Sequence, residues 1–249
     1  MAVAAMAVAA GLGGCAAPRP AGPAVSPAGA PLRYVAVGAS ETVGVGADEP
    51  LRDAWPQVFF RRALPRAATF VNLGVPGATV ADALTRQVPA ALDLQPDVVT
   101  VWLNVNDLIA GVTPTDFEAQ LGDLVHRLRR NGATRVLVAN TPDLDRLPAY
   151  VRCRSDPHDG LCQQTLAGRR LPDPAALRSA VDGYNAAIGR VADRERAILV
   201  DLHAAEARAR ADGTESSLVA ADGFHPSTAG HGAVAATFAA ALANPPAGR

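Results

Sequence analysis

Five short apolar runs recur along this chain: RYVAVG (33–38), ATFVNLG (68–74), DVVTVWLN (97–104), TRVLVAN (134–140) and RAILVDL (196–202). Each is rich in β-branched residues and lacks polar alternation, the pattern of parallel strands buried on both faces. The gaps between them carry helical periodicity. Phe117, Leu121, Leu124, Val125 and Leu128 recur at steps of three and four, as do Leu177, Val181, Tyr184, Ile188 and Val191. Thr113-Pro114 and Asp173-Pro174 read as an N-cap followed by proline at the first helical position. Strands alternating with helices predict an α/β fold, a three-layer α/β/α sandwich on a mostly parallel five-stranded sheet. In such a sheet ligands bind beyond the carboxyl ends of the strands.

The strand ends therefore hold the informative residues. The first strand runs into GASETVG, the second into GVPGAT and the third into NVNDL, while DGFHPSTAGH stands near the C-terminus. Together these loops supply a hydroxyl, glycines, a neutral amide and an Asp-x-x-His pair, the inventory of a serine hydrolase. Other chemistries lack their parts. All 23 basic residues are arginine, so neither a lysine Schiff base nor a P-loop is available. There is no Gly-x-Ser-x-Gly elbow, no His-Glu-x-x-His, no Cys-x-x-Cys and no Gly-x-Gly-x-x-Gly after a strand. No metal and no cofactor are expected. A net charge of −1 and 4% aromatic residues argue against nucleic acid as a partner.

With GASETVG, GVPGAT, NVND and DGFH in that order, the chain resembles the SGNH hydrolases, the GDSL-type esterases and lipases, over roughly residues 33–242. The resemblance implies a flavodoxin-like fold and a small-molecule, glycan-linked or lipid ester as substrate, with short-chain or carbohydrate-linked acyl groups preferred. It also implies roles: Ser40 as nucleophile, His225 as base and Asp222 as the acid that orients it. The backbone N–H groups of Ser40 and Gly77 and the Asn106 amide would form the oxyanion hole. Two departures stand out. Ala39 and Glu41 flank Ser40 where the family has Asp and Leu, and Asn104 replaces a glycine two residues before Asn106.

Each residue also has a plainer reading. Ser40 is equally suited to cap the following helix, Asp201 rivals Asp222 as the triad acid, and Asp107 suits a loop-organising role. Two other functions remain open on the sequence: a catalytically silent envelope module binding glycan or lipid, and an acyltransferase using the same serine.

The segment 141–175 is a long connection expected to overhang the site, with Leu147, Tyr150 and Leu161 as apolar substrate contacts and Asn104 as a polar one. Cys153 and Cys162 within it form an even pair once Cys15 is set aside, and are expected to form a disulfide. Residues 1–15, ending in LGGC, read as an export signal with a lipobox-like end whose Cys15 would carry lipid, although no Lys or Arg precedes it. Residues 16–31 are a Pro/Ala-rich tether and 32–244 the hydrolase domain. An exported monomer is expected, touching the membrane only through a Cys15 anchor.

Overall fold

A computed structural model describes residues 30–156, 158–160, 162 and 171–244. The strands are β1 (Arg33–Gly38), β2 (Thr69–Asn72), β3 (Val98–Trp102), β4 (Arg135–Ala139) and β5 (Ile198–Val200). All pair in parallel, in the order β2-β1-β3-β4-β5. The three-layer α/β architecture read from the sequence is the one formed. Parallel neighbours need crossover connections, which the helices supply.

Three long helices cover one face: α4 (Val80–Asp93), α6 (Pro114–Arg129) and α8 (Pro174–Glu195). Their apolar stripes meet Val35, Val37, Val99, Val101, Val136 and Val138 in the larger core, where Phe117 stacks on Tyr184 at 4.2 Å. The other face carries α3 (Trp55–Ala63) and α10 (Thr228–Ala243), with Trp55 stacked on Phe238 at 4.3 Å. The anticipated caps form: Thr113 accepts from Asp116 N, and Asp173 from Ala176 N.

The short elements are α1 (Ser40–Val43), α2 (Pro50–Asp53), α5 (Val105–Ala110), α7 (Pro148–Ser155) and α9 (Leu202–Ala211), with 3-10 turns at Arg130–Gly132 and Glu215–Leu218. Most lie at the carboxyl edge of the sheet. The chain leaves β1 for β2 on one side, while β3 pairs on the other. The loops after β1 and β3 therefore diverge, and the crevice between them is where doubly wound sheets bind ligands.

Candidate active site

Ser40 opens α1 immediately after β1. Ala39 is the N-cap residue, and no side chain caps this helix. The Ser40 hydroxyl instead faces His225: Oγ lies 3.0 Å from Nε2. On the other side of the ring, Nδ1 lies 2.6 Å from Asp222 Oδ2. Asp222 Oδ1 accepts from the backbone N–H groups of Phe224, at 2.8 Å, and His225, at 3.0 Å. Burial alone would raise the Asp222 carboxyl, but those N–H groups and the imidazole outweigh it and hold the group below its ordinary range. An ionised Asp222 opposite Nδ1 selects the tautomer with the proton on Nδ1, leaving Nε2 to accept from Ser40.

The turn after α1 is shaped to meet the histidine loop. Gly46 has φ +94°, and a Cβ there would lie 2.3 Å from the Pro226 carbonyl oxygen, so both conformation and space demand glycine. His231, buried in the first turn of α10, receives the Trp55 N–H at Nδ1 and donates from Nε2 to the Val45 carbonyl, 3.1 Å away. Burial lowers its pKa, in keeping with a neutral ring that both accepts and donates. It thus ties the helix that follows the His225 loop to the turn following Ser40.

Gly77 lies in the loop after β2, exposed and at φ +77°. A Cβ there would meet nothing within 4 Å, so the glycine answers a backbone requirement and leaves open space beside it. Asn106, in the first turn of α5, donates one amide N–H to the Ala78 carbonyl at 3.0 Å, which links the β3 loop to the β2 loop. Asp107 beside it is fully buried and accepts the Val80 N–H at the start of α4. Burial pushes this carboxyl up to about 6.

Other expected residues fall elsewhere. Asp201 caps α9 through the Ala204 N–H and accepts from the Asn140 amide, so it belongs to the β5 edge and not to His225. Asn104 is buried with its amide 3.5 Å from the Ala139 carbonyl, between β3 and β4, and contributes nothing to the cavity wall. Tyr150 is also a packing residue: it sits among Val105, Leu144, Leu177 and Val181, and its hydroxyl donates to the Pro172 carbonyl. Each of the two spends its polar group on a backbone carbonyl that packing would otherwise leave unpaired. Leu147 does face a cavity, while Leu161 and Cys15 lie outside the described residues. The expected Cys153–Cys162 disulfide is formed.

A cavity that no motif in the sequence marks opens beside His225. It has a volume of about 480 Å³ and includes Glu41 and His225 in its wall. Glu41 is buried, and Ser40 Oγ lies 3.4 Å from its Oε2. Burial raises the Glu41 carboxyl; its own backbone N–H, His225 and Ser40 pull the other way without cancelling that rise. Glu41 was visible as a departure beside Ser40, but a lone acid in a short loop gives no signal of facing a cavity. Among the described residues no cluster of metal-ligating side chains occurs, and no helix is long and apolar enough to cross a membrane.

A parallel sheet of this order, with serine, histidine and aspartate in contact at its carboxyl edge, defines the SGNH class of carboxylic ester hydrolase. The chain belongs to the GDSL-like lipase/acylhydrolase family, whose model matches residues 36–233. Solved structures of similar fold include a lipase/acylhydrolase from Enterococcus faecalis, with 21% identity, TM-score 0.62, and coverage of 85% of this chain and 95% of that one. An acetylxylan esterase from Geobacillus stearothermophilus has 20% identity and TM-score 0.61, covering 85% and 94%. An α/β hydrolase from the metagenome of Lake Arreo, Spain, has 23% identity and TM-score 0.62, covering 85% and 95%. Comparison with curated proteins finds no significant match.

Proposed function

We propose that the protein is an exported serine esterase that hydrolyses acyl esters through an acyl-Ser40 intermediate. The observation that carries this reading is the Ser40–His225–Asp222 chain, with contacts of 3.0 and 2.6 Å between groups 185 and 3 residues apart. His225 Nε2 takes the Ser40 proton as Oγ attacks the ester carbonyl, then delivers it to the departing alcohol. Water follows: His225 takes its proton, the hydroxide attacks the acyl carbon, and Oγ leaves with that proton returned. Asp222 stabilises the imidazolium in both halves. The N–H groups of Ser40 and Gly77 and the second N–H of the Asn106 amide serve as donors to the oxyanion.

Export is supported by the Cys153–Cys162 disulfide, since such bonds persist in oxidising compartments. The LGGC stretch before a Pro/Ala-rich tether supports a lipid anchor at Cys15. The test is turnover of p-nitrophenyl acetate by the full chain and by Ser40→Ala, with labelling by a serine-directed phosphonate. Loss of roughly 10⁴-fold or more in the variant, and labelling only of the unmutated protein, is expected. A folded protein inert to both ester and phosphonate would instead be a silent binding module.

A further inference from the structure

The cavity beside His225 lies between α9, the 3-10 turn at Glu215–Leu218, α10 and the start of the β4–α7 connection. Much of its wall is apolar, with Trp102, Val105, Leu144 and Leu202 all buried in it. Most acids in the wall are matched: Asp143, Glu206 and Glu215 each pair with Arg210. Glu41 is the exception. It is 9% exposed, and its polar neighbours are its own backbone N–H, His225 and the Ser40 hydroxyl. That hydroxyl lies 3.4 Å away, long for a hydrogen bond between oxygens, and 3.0 Å from His225 Nε2, its nearer acceptor. Among the described residues no arginine pairs with Glu41.

A buried carboxyl without a cation beside it holds its proton, and burial does raise this one. A positively charged group entering the cavity would let Glu41 ionise as a paired carboxylate, supplying the counter-charge that the wall lacks. Which half of an ester could bring that group follows from the lining. None of Ser40, Gly77 and Asn106 faces the cavity, so the acyl carbon and the oxyanion belong outside it. His225 does face it, and His225 is the group that hands its proton to the departing alcohol. The alcohol oxygen sits one tetrahedral carbon from Ser40 Oγ, hence within about 6 Å of Glu41 Oε2. A cation two carbons along the alcohol spans that distance.

We propose that the cavity receives the alcohol half of the ester, and that Glu41 selects alcohols carrying an ammonium group two carbons from the ester oxygen. The inference rests on the serine esterase reading above. Trp102 and Phe224, in the same wall, supply aromatic surface for the cation. The proton that His225 took from Ser40 passes to the alcohol oxygen as the bond from that oxygen to the acyl carbon breaks, and the ammonium departs unchanged.

The test is kcat/KM of the full chain for acetylcholine and for neohexyl acetate, its uncharged isostere with carbon in place of nitrogen. Apolar transfer alone would favour the neutral ester. We expect acetylcholine to be preferred by about tenfold or more, and Glu41→Gln, which keeps the size and loses the charge, to bring the ratio to about one or below. A second measurement does not depend on how the variant folds: choline should inhibit p-nitrophenyl acetate turnover by the unmutated protein competitively, and neohexanol more weakly. Neohexyl acetate turned over as well as acetylcholine, or a preference for acetylcholine that survives Glu41→Gln, overturns the assignment and leaves the esterase reading standing. No turnover of any ester, with no phosphonate labelling, overturns the esterase reading and this inference with it.

Discussion

Asp222 shows how much one residue can be asked to do. Its Oδ1 receives two backbone N–H groups and its Oδ2 faces His225 Nδ1. In Asp222→Asn the amide oxygen would stay with the backbone donors and turn the NH₂ group toward the ring. Nδ1 must then accept, the proton moves to Nε2, and Ser40 loses its base. The expected outcome is a fall in kcat of roughly 10⁴-fold with only a small fall in melting temperature, the ionised carboxylate's own contribution. Steady-state kinetics alongside thermal melts checks it, and a large fall in melting temperature would mean that the loop had collapsed. Asn106→Ala is milder, since it removes the proposed oxyanion donor and the tie to Ala78; about 10²–10³ in kcat is expected to be lost. Ser40, Asp222 and His225 were legible through the blocks GASETVG and DGFH that carry the resemblance to the SGNH hydrolases. Asn104 and Tyr150 were not, since what each bonds depends on backbone brought near only by the fold.

At the level of elements, the connection after β4 turned out to brace the loop that carries Asp222 and His225. Ala149 donates its N–H to the Gly223 carbonyl at 2.9 Å, and Arg152 reaches the Asp222 carbonyl at 3.2 Å. Both belong to α7, which the Cys153–Cys162 bond closes against the chain nine residues on. A loop of that size is stabilised by a disulfide by about 2–3 kcal/mol in the chain-entropy account. Replacing both cysteines by serine should therefore loosen α7 first. A lower melting temperature and a several-fold fall in kcat are expected, and Arg152→Ala should reproduce the second effect without the first. Unchanged kcat in both variants would show that α7 merely covers the site. The strands were readable because burial on two faces imposes β-branched runs, yet β2 came out half exposed, an edge strand whose apolar sequence did not reveal its place. The brace left no trace in the sequence, since it uses backbone groups and one arginine among many. Nor was the α9–α10 cavity legible: HAAEARAR and TAGHGAVAAT lack the large apolar residues that mark a packed face.

Across the whole molecule, burial of acids sets how stability should vary with pH. Asp107 is pushed from 3.8 up to about 6 and Glu206 from 4.5 up to about 7, both chiefly by desolvation, and Glu41 moves the same way. An acid raised by folding keeps its proton to higher pH in the native state than in the unfolded chain. Between those two values the unfolded chain binds fewer protons, so stability declines as pH climbs through the window. Asp222 has the opposite sign: lowered by folding, it contributes stability above its unfolded value of 3.8 that is lost as pH falls below it. Its protection is thus complete before the decline from the other three is over. The protein should consequently be most stable in mild acid, with the melting temperature falling on the order of 5 °C between about pH 5 and pH 7.5. Glu206→Gln provides the internal check, because it retains an acceptor for the Asp143 N–H while removing the ionisation. Melts of the two proteins across that range should converge at the acid end and separate toward neutrality, with the variant the more stable. Curves that stay parallel would mean that Arg210 and the surrounding water already hold Glu206 ionised at no cost, and that the acid-side optimum belongs to Glu41 and Asp107 alone.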